Sequence, residues 1–219
     1  DDGRFLRIET EAIEDVPKVT DEAVEPARWL PPVEPRAILC IGLNYRGHAA
    51  ESGAQIPQTP VVFMKNPSAA VGHEEPIVRP AVCGDELDWE AELAVVIGKA
   101  CRDVPRELAL THVLGYTAAN DVSARLWQHD KGGGQWVRGK SFDTFAPMGP
   151  VLVTADECPY PNRLAIRTIL NDEVVQESTT ADMVFDVPEL VRFLSQDTTL
   201  LPGTRSEERR VGKECCTPC

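Results

Sequence analysis

Three acids recur at alternate positions in "DELDWEAELAVVIG": Asp88, Glu90 and Glu92. In a strand this period puts them on one face, with Trp89, Ala91 and Leu93 on the other. Neighbouring carboxylates there would sit about 6.6 Å apart and repel by about 2.5 kcal/mol at an effective dielectric near 20. Such a row is either a solvated face at a sheet edge or a site neutralised by a cation. Glu92 runs directly into "LAVVIG", so at least one acid enters the core side of a strand, where an unpaired charge is costly. Carboxylate oxygens select hard cations, Mg²⁺, Mn²⁺ or Ca²⁺, over zinc.

A second pair lies in "CIGLNYRGHAAESG", where His48 and Glu51 stand three residues apart and Ser52-Gly53 supplies a stop. In a short helix that spacing sets imidazole beside carboxylate, so the acid can orient the ring and raise its basicity. A surface ion pair has the same spacing; the place just after a buried strand favours chemistry. A third pattern, "GQWVRGKS" at residues 134–141, satisfies the phosphate-loop formula G-x-x-x-x-G-K-[ST]. A phosphate loop needs a strand before it and a helix after it. Here the upstream "RLWQHDKGGG" is polar and turn-like, and Pro147, Gly149 and Pro150 follow too closely for a long helix. The nucleotide reading fails on context, and Lys140 needs another role.

The elements that must hold these groups read mostly as strands. "AILCIGL", "VVFMK", "WEAELAVVIG" and "MGPVLVT" are short apolar or alternating runs, and "LAIRTILNDEVVQES" reads as a hairpin turning at Asn171-Asp172. Helical periodicity is confined to "PRELALTHV", the stretch after Asp121, and "VPELVRFLSQ" with its early proline. No βαβα alternation and no repeat appear. The expected class is α+β and strand-dominated. Residues 1–36 are acidic and end in "WLPPVEPR", which predicts a leader or small lobe on a stiff linker before a main domain starting at Ala37.

With 219 residues and 42% hydrophobic content the chain can bury one substantial core. A formal net charge of −13 argues against nucleic-acid or anionic-membrane surfaces, which need a basic footprint. Neither a signal-type apolar run nor a membrane-length segment is present in the sequence. The expected setting is the cytosol, or the mitochondrial matrix if a presequence is missing. Cys40, Cys83, Cys101 and Cys158 stand singly and suit free thiols. The terminal "CCTPC" lacks the second pair that a zinc knuckle requires.

Six blocks in order, "CIGLNYRGHAAE", "VVFMKNPSAAVG", "DWEAELAVVIG", "GYTAANDVSAR", "GQWVRGKSFDTFAPMGP" and "STTADMVFDVPELVRFLSQ", resemble the fumarylacetoacetate hydrolase family across residues 37–204. The resemblance implies a mixed β-sandwich roll of the family's C-terminal-domain type, usually a homodimer, that binds Mg²⁺ or Mn²⁺ and acts on a small oxo-acid substrate. Position by position, Glu90, Glu92 and Asp121 match metal ligands. His48 and Glu51 match a water-activating dyad, and Lys140 and Gln128 match groups that meet the reacting carbonyl. Arg125 either binds a substrate carboxylate or buttresses the acids. Asp88 matches no ligand position, and Tyr45, Lys65 and Ser68 match the pocket edge only loosely. The implied reaction is hydrolysis of a β-diketo acid, an acylpyruvate or fumarylpyruvate, releasing pyruvate. The alternatives are an isomerase, decarboxylase or lyase on a metal-bound oxo acid, and a catalytically weak metal-binding relative.

The chain end departs from that pattern. After "TTLLPGT" the family continues with an apolar strand and a Thr-Gly-Thr-Pro type turn, whereas this sequence reads "RSEERRVGKECCTPC". Without an apolar period, residues 205–219 are expected to form a foreign or disordered tail with no strand, leaving an open sheet edge.

Overall fold

The structure is a computed structural model that describes residues 5–10, 13, 18–25 and 27–209. A first hairpin pairs β1 (Phe5–Glu9) with β2 (Lys18–Val24). Then come β3 (Ala37–Gly42), α1 (Arg46–Ser52), β4 (Val61–Lys65), β5 (Ala70–Val71), β6 (Leu87–Asp88), β7 (Ala91–Ile97) and β8 (Val113–Asn120). They are followed by β9 (Ser123–Ala124), α2 (Arg125–His129), α3 (Val137–Lys140), β10 (Ala146–Pro147) and β11 (Val153–Thr154). The chain continues through β12 (Ala165–Leu170), β13 (Glu173–Thr179), α4 (Val187–Leu194) and β14 (Thr204–Arg209). Strands dominate, as expected. Among the described residues no helix is long and apolar enough to cross a membrane.

A six-stranded sheet in the order β11-β8-β7-β14-β3-β4 forms the centre. Alternation along β7 divides the core in two. Leu93, Val95 and Ile97 point to one face, where Tyr45, Tyr116, Val187, Val191 and Leu200 complete an apolar cluster. The opposite face carries Ala94 with Ala119 and Met148, and Ile38, Cys40 and Phe63 pack there on Val122, Ala124, Phe142 and Phe145. The charged groups lie on this second side.

Several local readings hold for identifiable reasons. The β12–β13 turn falls at Asn171-Asp172, both at positive φ (50° and 66°), the backbone a tight hairpin turn demands. Helix α4 starts where Asp186 accepts a bond from the Glu189 N–H at 3.0 Å, with proline in the first turn. "PRELALTHV" forms a 3₁₀ helix, Arg106–His112, instead of an α-helix. Cys40, Cys83, Cys101 and Cys158 are free thiols.

The end of the chain corrects one expectation. Residues from Arg205 to Arg209 are not a strandless tail; with Thr204 they form β14, in the middle of the sheet. It runs parallel to β3, with Arg205 opposite Ile38, and antiparallel to β7, with Arg205 opposite Val96. The physical reason is backbone demand. Without β14, facing edges of β3 and β7 would present rows of buried N–H and C=O groups, each costing about 1–3 kcal/mol if unpaired. Gly203, at φ +82°, turns the chain into that slot and its N–H donates to the Ile97 carbonyl at 2.9 Å. Pairing therefore overrides side-chain pattern, and no open edge remains between β3 and β7. The "CCTPC" segment lies outside the described residues.

The override leaves a mark. Arg205 is fully buried, and its guanidinium reaches the Met148 sulfur, a weak acceptor.

Candidate active site

The acids come together, though not on one unbroken strand. β6 ends at Asp88 and β7 begins at Ala91, so Trp89 and Glu90 form a joint between them. The Asn120 side-chain oxygen accepts the Glu90 N–H at 3.0 Å, and the Glu90 carbonyl accepts the Asp121 N–H at 2.9 Å. That exchange ties the end of β8 to the joint. Glu90, Glu92 and Asp121 are 0%, 2% and 1% exposed, and one carboxylate oxygen from each lies within 4.8 Å of the others. A solvated edge face is thereby excluded.

Three cations converge on these acids from three elements. From α3, the fully buried Lys140 Nζ donates to Asp121 Oδ2 at 2.6 Å, Glu90 Oε2 at 3.0 Å and Ser123 Oγ at 2.6 Å. From β4, Lys65 Nζ donates to Asp121 Oδ1 at 2.5 Å and to the carbonyls of Phe145 at 2.6 Å and Val122 at 3.3 Å. From α2, Arg125 grips Asp88 Oδ2 with Nε at 2.9 Å and Nη2 at 2.5 Å, and Glu90 Oε1 with Nη1 at 2.6 Å. Burial opposes the Arg125 charge, but the Glu90 and Asp88 carboxylates outweigh it and hold the guanidinium above its ordinary pKa. Of its two open roles, this geometry supports the buttress.

Gln128 completes the group. Its Oε1 accepts from Arg125 Nη1 at 2.8 Å, which fixes the amide orientation because a guanidinium only donates. Its Nε2 is then a buried donor without an acceptor among the described residues. Such a donor calls for an oxygen-bearing ligand. A Cβ on Gly139 would meet the Gln128 backbone nitrogen at 2.5 Å and the Ala124 carbonyl at 2.9 Å. Glycine is thus required where α3 crosses α2, and that crossing seats Lys140.

The donor set fits a divalent cation. Four buried carboxylates, those of Asp88, Glu90, Glu92 and Asp121, lie with three buried or nearly buried cations, Lys65, Arg125 and Lys140. Each carboxylate offers about four lone-pair positions, more than the donors above consume. All-oxygen ligation matches Mg²⁺, Mn²⁺ or Ca²⁺.

His48 and Glu51 lie on α1, the first nearly buried and the second exposed. The helix follows β3, whose Ile41 pairs with residue 208 of β14, while residue 209 pairs with Glu92. α1 therefore starts from the end of the sheet that bears Glu92. A distant segment pins it: Asp182 Oδ2 accepts the Gly47 N–H at 2.8 Å, and the Asn44 side chain exchanges two bonds with the Phe185 backbone at 2.8 and 3.0 Å. Tyr45 is fully buried in the apolar cluster with Leu93, Val95 and Met183. Ser68 sits in a 3₁₀ turn with its N–H bonded to Asn66 Oδ1 at 3.2 Å.

Sequence reasoning missed Ser123 and the depth of Lys65. Both had a signal. In "DVSAR" Asp121, Ser123 and Arg125 alternate, and in "VVFMK" Lys65 is in phase with the buried Phe63.

A mixed, strand-dominated fold with a buried carboxylate triad defines the class: a fold that carries a candidate cation site. Residues 37–204 match the fumarylacetoacetate (FAA) hydrolase C-terminal family, and the chain belongs to that family. The oxaloacetate tautomerase fahd2 of Xenopus laevis, named as mitochondrial, is 47% identical over 173 residues, covering 79% of this chain and 54% of the relative. The chain thus spans about half the length of the curated relatives it matches. Among solved structures, a 2-hydroxyhepta-2,4-diene-1,7-dioate isomerase from Mycobacterium marinum superposes with a TM-score of 0.82 at 38% identity, covering 94% of this chain and 77% of that one. A fumarylacetoacetate hydrolase from Exiguobacterium antarcticum gives 0.80 at 35% identity, covering 93% and 76%.

Two outcomes are expected. Asp121→Asn should weaken Mn²⁺ binding by more than about 100-fold, because hard cations depend on charged oxygen ligands; calorimetric titration that finds the wild-type affinity would remove Asp121 from the ligand set. Gly139→Ala should force α3 off α2, lowering the melting temperature by several degrees and displacing Lys140. Unchanged stability and cation affinity together would show that the crossing can absorb a methyl group.

Proposed function

We propose that the chain is a divalent-metal-dependent tautomerase or isomerase that interconverts keto and enol forms of a small oxo acid. The observation that carries this reading is the Gln128 amide, a buried donor beside Glu90 and Arg125 that awaits an oxygen. Hydrolysis, the first expectation, asks more of the site, since a nucleophilic water must be placed and a carbon–carbon bond broken. Enolisation only moves one proton between carbon and oxygen. The names of the similar frog tautomerase and mycobacterial isomerase favour the simpler reaction.

The residues divide the work as follows. Gln128 Nε2 and Lys140 Nζ donate to the keto oxygen and stabilise the charge that develops there as the α-carbon loses its proton. His48 is the proton shuttle, oriented by its helix, with Glu51 within one turn of it on the solvent side. Arg125 holds the Gln128 oxygen, so the amide presents its N–H₂ to substrate. Glu90, Glu92 and Asp121 would hold a divalent cation, which would supply Lewis acidity toward the keto oxygen. Hydrolysis of acylpyruvates is kept as the second reading because His48 and Glu51 share one turn of α1 and a similar structure is a fumarylacetoacetate hydrolase. The family's cytosolic or matrix setting and homodimer remain part of the proposal.

The discriminating experiment supplies enol oxaloacetate and acylpyruvates separately to the protein with Mg²⁺ or Mn²⁺. Enol decay, read by ultraviolet absorbance, should be accelerated and should stop with chelator. His48→Ala should lower that rate by about 10²- to 10⁴-fold while leaving cation affinity intact. Pyruvate released from acylpyruvate without any effect on enol decay would overturn the tautomerase reading in favour of hydrolysis.

A further inference from the structure

Lys65 and Lys140 both hold Asp121, but their other partners differ in kind. Lys140 reaches side chains, those of Glu90, Asp121 and Ser123. Lys65 bonds one carboxylate oxygen and two main-chain carbonyls, Val122 and Phe145. Its stem rises from β4 beside the buried Phe63, and its side chain is fully buried. The Val122 N–H also donates to the Phe145 carbonyl at 3.2 Å, which joins the two carbonyl-bearing segments. Lys65 is thus anchored to backbone that cannot yield without breaking the packing of Val122 and Phe145.

We propose that Lys65 is a positioning residue that occupies Asp121 Oδ1 permanently and leaves Oδ2 as the oxygen offered to a cation. Its effect is on coordination as well as charge. A carboxylate free at both oxygens can bind a cation bidentately, the mode that larger Ca²⁺ accepts readily and that small, strictly octahedral Mg²⁺ disfavours. Holding one oxygen keeps Asp121 a single-oxygen ligand. That preserves open coordination positions for a bidentate oxo-acid substrate and biases the centre toward the smaller ion. Lys65 also puts a fixed positive charge near the centre, which lowers cation affinity and keeps Oδ2 available to Lys140 between turnovers. This inference rests on the carboxylate triad being the cation site. If the wild-type chain bound no divalent ion, that reading would fail first and separately.

The test measures Mg²⁺ and Ca²⁺ affinity by calorimetry, with kcat and KM for enol oxaloacetate beside them, in wild type, Lys65→Met, Lys65→Gln and Lys65→Arg. Lys65→Met should bind Ca²⁺ about tenfold or more tightly, with a smaller gain for Mg²⁺, while kcat falls and KM changes little. Lys65→Gln, which keeps a donor without the charge, should lie between. Lys65→Arg should retain the wild-type preference between the ions. A role limited to packing predicts the reverse pattern: every variant binds both ions more weakly, in step with its loss of stability, and the ratio stays fixed. That result overturns the proposal. Should Lys65→Met prove too unstable for calorimetry, a larger Ca²⁺-induced rise in its melting temperature than in wild type supports the proposal, and an equal rise overturns it.

Discussion

Everything at the site depends on one electrostatic constraint: Glu90, Glu92 and Asp121 are buried with carboxylate oxygens within 4.8 Å of one another, and buried carboxylates must be answered by positive charge. An isolated buried carboxylate is too costly to survive ionised. The chain answers with Lys65, Arg125 and Lys140 from β4, α2 and α3; Lys65 lies 56 residues from Asp121, and Arg125 and Lys140 lie 35 and 50 residues from Glu90. These ion pairs therefore act as long-range staples. Each lysine is useful only if its own element is docked, so compensation of the acids and closure of the fold occur together. The triad of Glu90, Glu92 and Asp121 is where a divalent cation would be held.

A second constraint is backbone hydrogen bonding, and it explains the largest departure from the sequence reading. Hydrophobic periodicity reports which side chains prefer the interior. It does not report which strands a half-built sheet leaves unpaired. Between β3 and β7 the demand for N–H and C=O partners draws in Thr204–Arg209 despite its polar text. At the ends of the same sheet, where one side is open, pattern and structure agree more closely: β4 alternates exposed Val62 and Met64 with buried Phe63 and Lys65. The two cases show where patterning is a reliable guide and where tertiary context replaces it.

The chemistry was legible to differing depths for the same reason. Glu90, Glu92 and Asp121 could be picked out because acids adjoining apolar runs advertise a buried charge. Their partners were harder. Arg125 follows Asp121 by four residues and could be placed near it without its role being assigned; the paired bonds to Asp88 and Glu90 supply that role. Lys65 lies 56 residues before Asp121, and nothing local distinguishes it from a surface lysine except its phase with Phe63. Asp88, which matched no ligand position, proves to be the anchor that lets Arg125 hold Glu90 and Gln128 at once. Contacts distant in sequence leave a faint trace in any single segment, and a trace at all only through alternation.

The phosphate-loop lettering at residues 134–141 shows how one string can satisfy two unrelated constraints. In a nucleotide site the glycine before the lysine lets backbone N–H groups approach a phosphate, and the lysine completes the cradle. Here Gly139 is glycine because the Gln128 nitrogen and Ala124 carbonyl occupy the space a Cβ would need. Lys140 is lysine because Glu90 and Asp121 lie buried beneath it. The preceding element is helix α2, and α3 is a single turn, so no strand delivers the chain and no extended helix receives it. A close helix crossing beside an anionic centre thus selects Gly-Lys as strictly as a phosphate does. What separates the two is the charge that the lysine faces: two fixed carboxylates of the protein in one case, a departing anionic ligand in the other.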